Sequence, residues 1–287
     1  MFPSRFRYEA PHSLDEAIAL LRDGGDDVKV LAGGQSLVPL LSMRLASPSM
    51  LVDINALPDL AHVTCSADGV RVGALARHTD VLEDAEARRV QPLLAMALSR
   101  VAHATIRNRG TTVGSLAHAD AAAEMPVVLS LLGGSLDVVG PAGRRTVPAD
   151  QLFAGPMEST LAHDEIAVEA FFPALAPSTG VGFDEVARRH GDYALCGVAA
   201  LVTVDGDRVT AARAGYLSVA EVPTVLDLTE ALGGVVDDES LARAGETALS
   251  LLEPQADIHA TEAYRGQLVR VLTARVLRSA YDDARTR

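Results

Sequence analysis

The sequence predicts an α+β fold of two or three subdomains, on three observations. Its first 174 residues interleave short apolar strand patterns with amphipathic helical ones. Two of those strand patterns fold back on themselves as hairpins. Past APSTG (176 to 180) the texture changes to two long strand patterns followed by helices, which places a boundary near 174 to 179. A chain of 287 residues is long for one domain, so this division agrees with size alone.

The elements follow in order. SLDEAIALLR (13 to 22) opens with Ser13 and Glu16 at capping-box spacing and aligns Leu14, Ala17, Ile18 and Leu21 on one helical face. VKVLA (28 to 32) reads as a short buried strand that runs directly into Gly33-Gly34. SLVPLLSMRL (36 to 45) starts as a helix, with Pro39 tolerable near its first turn, and LVDI (51 to 54) is another strand. VTCSADGVRVGAL (63 to 75) reads as a hairpin turning at Asp68-Gly69, and VQPLLAMALSRVA (90 to 102) as an amphipathic helix. AAAEMPVVLSLLG (121 to 133) is predicted as a helix capped by Asp120 and stopped by Gly133. SLDVVGPAGRRTV (135 to 147) is a second hairpin, and EIAVEAFFP (165 to 173) a strand ended by proline. GVAALVTVDGD and RVTAARAGYLSV pair through Asp205-Gly206-Asp207. The final segment, 260 to 285, repeats Tyr264, Leu268, Leu272, Val276 and Ala280 on one helical face.

Composition removes several functions. Charged residues are 22% and hydrophobic residues 48%, with 4% aromatics and no tryptophan, so the core must be aliphatic. The 25 basic residues against 38 acidic ones give a formal charge of −13, which opposes binding to nucleic acid or anionic lipid. MFPSRFRYEAP lacks the apolar stretch of a signal peptide, and no apolar run is long enough to cross a bilayer, so a cytoplasmic protein is expected. Cys65 and Cys196 are the only cysteines; they cannot ligate a zinc or iron–sulfur centre and read as two small buried hydrophobes. Any redox chemistry here needs an organic carrier. His103, His118 and His163 read as structural or exposed, RRHGD (188 to 192) as a solvated edge, and no metal-ligand spacing or nucleophile elbow is present.

Two loops remain. LAGGQSL (31 to 37) takes a strand into a glycine pair whose backbone N–H groups are open to approach, a concavity suited to phosphate oxygens, with Ser36 as an added donor. RNRGTTVGSLAHAD (107 to 120) repeats that logic with Thr111, Thr112 and Ser115 as hydroxyl donors. Two anion-receptive loops suggest two linked phosphates. The G-x-G-x-x-G and G-x-x-x-x-G-K-[ST] patterns of common nucleotide sites are absent, so spacing alone leads to a dinucleotide site of unusual type.

The stretches LAGGQSL, LVDINALPDL, VGALARHTD, IRNRGTTVGSLAHADAAAEMP, PADQLFAGPMESTL and FDEVARRHGDYALCGVAALV resemble the FAD-binding medium subunit of the molybdenum hydroxylase (xanthine dehydrogenase) family, in particular its aerobic carbon monoxide dehydrogenase branch. The resemblance runs the length of the chain. It implies an FAD-binding domain of the vanillyl-alcohol-oxidase/PCMH type over 1 to 174, built of two α/β subdomains (about 1 to 55 and 56 to 174), and an α+β domain with a small antiparallel sheet over 179 to 287. It also implies that Ala32, Gly33, Gly34, Gln35 and Ser36 form one pyrophosphate loop and Thr111, Thr112, Val113, Gly114 and Ser115 the other. Tyr193 would stand beside the flavin ring and Glu124 near the cofactor, with no catalytic acid–base residue and no metal ligand on this chain. One departure stands out: Val113 occupies the first position of a glycine pair usual in the family. If that position needs a positive φ, the substitution strains the loop by roughly 1–3 kcal/mol.

The resemblance further implies a small subunit with two [2Fe–2S] clusters and a large molybdenum subunit, assembled as a dimer of heterotrimers. Electrons would pass from molybdenum through the clusters to FAD, and then to quinone, NAD or oxygen. A non-redox structural homologue that binds FAD weakly or not at all is the rival, motivated by Val113. A free-standing flavin oxidase ranks lower, because no sizeable extra substrate domain is present. The substrate (carbon monoxide, a purine, an N-heterocycle or another) is not encoded here.

Overall fold

The computed structural model describes residues 2–287 and contains three main sheets. The first subdomain runs β1 (Arg7–Glu9), α1 (Leu14–Gly24), β2 (Val28–Leu31), α2 (Leu37–Met43) and β3 (Met50–Asp53), with the strands parallel in the order β1-β3-β2. Ser13 caps α1 by accepting the Glu16 N–H at 3.1 Å, as its spacing predicts. The reciprocal half lands one residue early, since Glu16 accepts from the His12 N–H rather than from Ser13. The helix buries Ala17, Ile18 and Leu21.

The second subdomain holds β4 (Val63–Cys65), β5 (Gly69–Gly73), α3 (His78–Glu83), α4 (Ala85–Val90), α5 (Pro92–Leu98), α6 (Ala104–Arg107), α7 (Thr112–His118), α8 (Glu124–Leu132), β6 (Ser135–Gly140), β7 (Gly143–Pro148), the short pair β8 (Phe153–Gly155) and β9 (Glu158–Ser159), and β10 (Ile166–Pro173). Its sheet, β4-β5-β10-β6-β7, is antiparallel throughout, unlike the first. Helix α8 is apolar on nearly every side and fully buries Met125, Leu129 and Leu131. Each such side chain stabilises the fold by about 1.5–3 kcal/mol. Gly133 ends the helix in the left-handed region, as expected. Asp120 does not cap it: the N-cap is Ala123, and Asp120 instead accepts the Ala122 N–H at 2.9 Å in a tight turn of its own. The prediction failed because Asp120 is separated from α8 by this turn.

The third part is a meander of β11 (Thr179–Ala187), β12 (Ala194–Asp205), β13 (Arg208–Leu217) and β14 (Thr224–Asp227), followed by α9 (Thr229–Leu232), α10 (Asp238–Leu251) and α11 (Glu262–Ala284). Strand β11 has no clean alternation and lies outside the strand patterns read from the sequence. Its glycines explain why: a Cβ at Gly180 would lie 2.1 Å from the Ala280 carbonyl and one at Gly182 2.6 Å from that of Val276, so both are bare to let α11 lie on the strand. Leu268, Leu272, Val276 and Ala280 of α11 are buried as the periodicity predicts, whereas Tyr264 is 47% exposed. Cys196 is buried, but Cys65 is only partly so, with its thiol 4.0 Å from an Asp84 carboxylate oxygen. No helix among the described residues is long and apolar enough to cross a membrane.

Candidate functional site

The two bare loops, distant in sequence, meet. A Cβ on Gly33 would lie 2.4 Å from the Arg109 carbonyl oxygen, 2.8 Å from Gly110 Cα and 3.0 Å from the Thr111 nitrogen. Gly33 is therefore glycine so that the second loop can pass against it, and Gly34, at φ +71°, turns the chain into α2. Among the described residues, the N–H groups of Gly33, Gly34, Gln35 and Ser36 donate to no acceptor, and that of Val113 at the start of α7 is also free. Free amides from two adjoining segments, with no side chains between them, can hold an anion with two phosphates.

A chain of polar contacts locks the loops together. Asn55 Nδ2 donates to the Ala32 carbonyl at 2.8 Å, Arg77 Nη2 donates to Asn55 Oδ1 at 2.8 Å, and Arg77 Nη1 donates to the Arg109 carbonyl at 2.9 Å. Asp53, whose carboxylate accepts from Tyr8, orients Asn55 by accepting its backbone and side-chain N–H at 2.9 and 2.6 Å. Beneath Gly110 sits His78, buried, with its own N–H donating to the Gly110 carbonyl at 2.9 Å and its Nδ1 hydrogen-bonded to the Thr112 hydroxyl at 3.2 Å. Burial, and then the charge of Arg107, lower its pKa to about 4, so it is neutral and acts as a prop. Sequence reasoning missed Asn55, Arg77 and His78. All three lie inside the stretches that carry the resemblance, but nothing local marks their roles.

The loops form one wall of a cleft of about 510 Å³ between the first two subdomains and the third part. Of the expected residues, Ala32, Gly33, Gly34, Gln35, Ser36, Thr111, Val113, Gly114, Ser115, Glu124 and Tyr193 all line it. Thr112 does not: it is fully buried and its hydroxyl is engaged by His78. The Thr111 hydroxyl accepts the Gly114 N–H at 3.1 Å as the cap of α7, so both threonines use their side chains to shape the loop. The expected strain at Val113 is also absent. Val113 is a helical residue of α7 with negative φ, and its side chain is buried in the core. Since it is not in a left-handed turn, a β-branched residue fits.

Asp120, Glu124 and Tyr193 also line the cleft. Burial above all, then the Glu185 and Asp120 carboxylates, raises the Glu124 pKa to about 8, so near neutrality it is largely protonated and can donate a hydrogen bond. Tyr193 is 61% exposed, yet its hydroxyl sits beside Ser36 and Asp120; partial desolvation and the charges of Asp120 and Glu124 raise its pKa. The loop 188 to 193, expected as a solvated edge, in fact lends Gly191, Asp192 and Tyr193 to the cleft. His118 lines it as well, His103 stacks on His190 at 5.7 Å, and His163 pairs with Asp26 at 3.3 Å.

Comparison with known proteins agrees with this geometry. Residues 4–175 match the model of the FAD binding domain in molybdopterin dehydrogenase, and residues 182–280 that of the CO dehydrogenase flavoprotein C-terminal domain. The chain is a flavoprotein subunit of the molybdenum hydroxylase family. It is 40% identical to the 6-hydroxypseudooxynicotine dehydrogenase complex subunit alpha of Paenarthrobacter nicotinovorans, over 99% of this chain and 97% of that one. It is 34% identical to the carbon monoxide dehydrogenase medium chain of Hydrogenophaga pseudoflava, over 98% and 99%. The quinoline 2-oxidoreductase structure from Pseudomonas putida 86 superposes with a TM-score of 0.93 at 39% identity, covering 99% of this chain and all of that one. This flavoprotein subunit is thus an oxidoreductase component with FAD as its cofactor, and the free amides, the bare approach at Gly33 and the neutral acid at Glu124 fit that group.

Proposed function

We propose that this subunit passes electrons from the [2Fe–2S] clusters of a small partner subunit, themselves fed by a large molybdenum subunit, through FAD to an external acceptor. The observation that carries the reading is the contact of Gly33 with Arg109, Gly110 and Thr111, which sets two amide-bearing loops side by side. In this reading the amides of Gly33 to Ser36 and of Val113 hold the diphosphate. Glu124 donates a hydrogen bond inside the cleft, and Tyr193 covers the ring end. Bound FAD supplies an acceptor of one or two electrons, which joins one-electron carriers to a two-electron acceptor. The chain's own residues do no acid–base work on the substrate, whose choice falls to the large subunit. We assign residues 1 to 174 to the FAD domain and 179 to 287 to the C-terminal domain, and the assembly to the cytoplasm as a dimer of heterotrimers.

Helix α2 supports the partner reading. It carries no charged side chain, yet only Leu41 is buried; Val38 is 46% exposed, Met43 54%, and Leu45 just beyond it 71%. A helix apolar on all sides and left uncovered is what an assembly buries. The helical geometry of Val113 removes the strain that favoured a flavin-free structural role. The test is the visible spectrum of the purified subunit. The reading expects the two oxidised-flavin bands, with about one FAD released per chain on denaturation. A colourless protein that stays empty after incubation with excess FAD would overturn it.

A further inference from the structure

A second cavity, of about 620 Å³, adjoins the cofactor cleft, and the two share Asp120, Gly191, Asp192 and Tyr193. The proposed electron path does not use it. It opens between the 188 to 193 loop, the end of β13 and the 255 to 259 segment before α11, and its walls include Pro156, Met157, Leu195, Val219 and Ala220. Tyr193 lines both cavities, so an aromatic side chain stands between a ring bound in the second and the cofactor cleft.

The charges around this cavity select its ligand. Arg265, buried in its wall, is held by Asp257 at 2.5 Å and by the carbonyls of Leu195 (3.1 Å) and Ser218. Arg188 faces Asp192 at 3.8 Å. Asp120 and Glu221 have no basic partner among the salt bridges of the described residues, so four carboxylates face two guanidiniums. A net negative wall repels the diphosphate of a second dinucleotide, and the cavity has nothing comparable to the paired amide loops of the cleft. Oxygen needs no such space. A neutral, flat, largely apolar molecule fits both the volume and the charge, with Tyr193 to stack on and the Arg188 guanidinium as a donor to a carbonyl.

We propose that this second cavity is the electron-acceptor site and that it takes a neutral quinone rather than a nicotinamide dinucleotide. The inference rests on the electron-transfer reading above. In the transfer, the quinone gains two electrons and two protons to become the hydroquinone. FAD held by the amides of the two loops would supply, once reduced, both electrons and one proton, and solvent would supply the second proton.

The test begins with binding, without turnover. Calorimetric titration of the oxidised subunit with a water-soluble naphthoquinone should show one saturable site, and titration with NAD+ none. Ala220→Trp, which fills the cavity away from the FAD loops, should weaken quinone binding at least about tenfold, with FAD content and melting temperature unchanged. Glu221→Gln, which removes charge without filling space, should leave quinone binding within about threefold and serves as the folding control. Anaerobic mixing of the reduced subunit with the naphthoquinone should then show flavin reoxidation that saturates with quinone concentration and slows in Ala220→Trp. Quinone binding that Ala220→Trp leaves unchanged, reoxidation linear in quinone and indifferent to that variant, or saturable binding of NAD+ would each overturn the proposal. The binding arm can also be run on flavin-free protein, so a failed FAD reading is distinguishable from a failed acceptor site.

Discussion

The two loops that meet at the cleft solve one problem by opposite means. The first is thin: Gly33 and Gly34 carry no side chains, and the second loop passes within a missing Cβ of Gly33. The second is thick but turned: it begins α7, so Thr112 and the Val113 side chain lie in the protein and the Val113 amide is left facing the cleft. A glycine is needed where another backbone passes. A β-branched residue is acceptable where a helix start directs the side chain inward. The family's usual glycine pair in the second loop is therefore replaceable, and Gly33 is not.

The largest effect should follow from breaking the thin side. Gly33→Ala would set a methyl against the Arg109 carbonyl, which is backbone and cannot give way. FAD affinity should fall more than about 100-fold, equivalent to more than about 2.7 kcal/mol. Flavin release followed by fluorescence checks this. Retained affinity would mean that the loops need not touch.

Next comes the clamp. Arg77→Ala removes charge-assisted hydrogen bonds to Arg109 and Asn55, of the kind that contribute about 1.5–3 kcal/mol each. FAD affinity should fall about 10-fold, with Asn55→Ala producing a similar loss and the double variant little more. Full additivity in that double-mutant cycle would show that the two residues do not act as one unit.

These two variants also mark what the sequence could and could not tell. The strand running into Gly33-Gly34, the Ser13 cap and the buried stripe of α11 are local patterns and could be read directly. Pairing of the loops follows from contacts 77 residues apart, between 33 and 110, and no periodicity reports such a distance. Resemblance supplied it, and with it the expected cofactor residues, although the side-chain roles of Thr111 and Thr112 had to await the positions of α7 and His78. Arg77 was hidden because a single arginine between ALA and HTD looks like any solvated residue. The β11 strand was hidden because its glycines answer to α11 and not to its own sheet. Asp120 misled because a turn separates it from the helix it was expected to cap.

A smaller effect is expected in the dependence of stability on pH. In the flavin-free chain burial and neighbouring carboxylates raise the Glu124 pKa from the ordinary carboxylate range to about 8, and burial raises that of Glu185 to about 7. The folded state thus holds more protons than the unfolded state between those limits, so stability falls as pH rises from about 5 to about 8. Glu124→Gln should flatten that decline in thermal melts taken across the range. An equally steep decline in the variant would assign it elsewhere.

The smallest effect on cofactor affinity is expected from the thick side. Val113→Gly restores the usual family residue but empties a buried site within a helix. The fold should lose about 1–3 kcal/mol, while FAD affinity stays within about threefold of the parent. A marked gain in affinity would show that valine does strain the bound loop.

The most direct measurement is a crystal structure of the subunit with FAD bound. Diphosphate oxygens are expected within hydrogen-bond distance of amides from both Gly33–Ser36 and Val113, with Gly33 still packed against Arg109. A diphosphate held by one loop alone, or loops that separate when the cofactor enters, would contradict this arrangement.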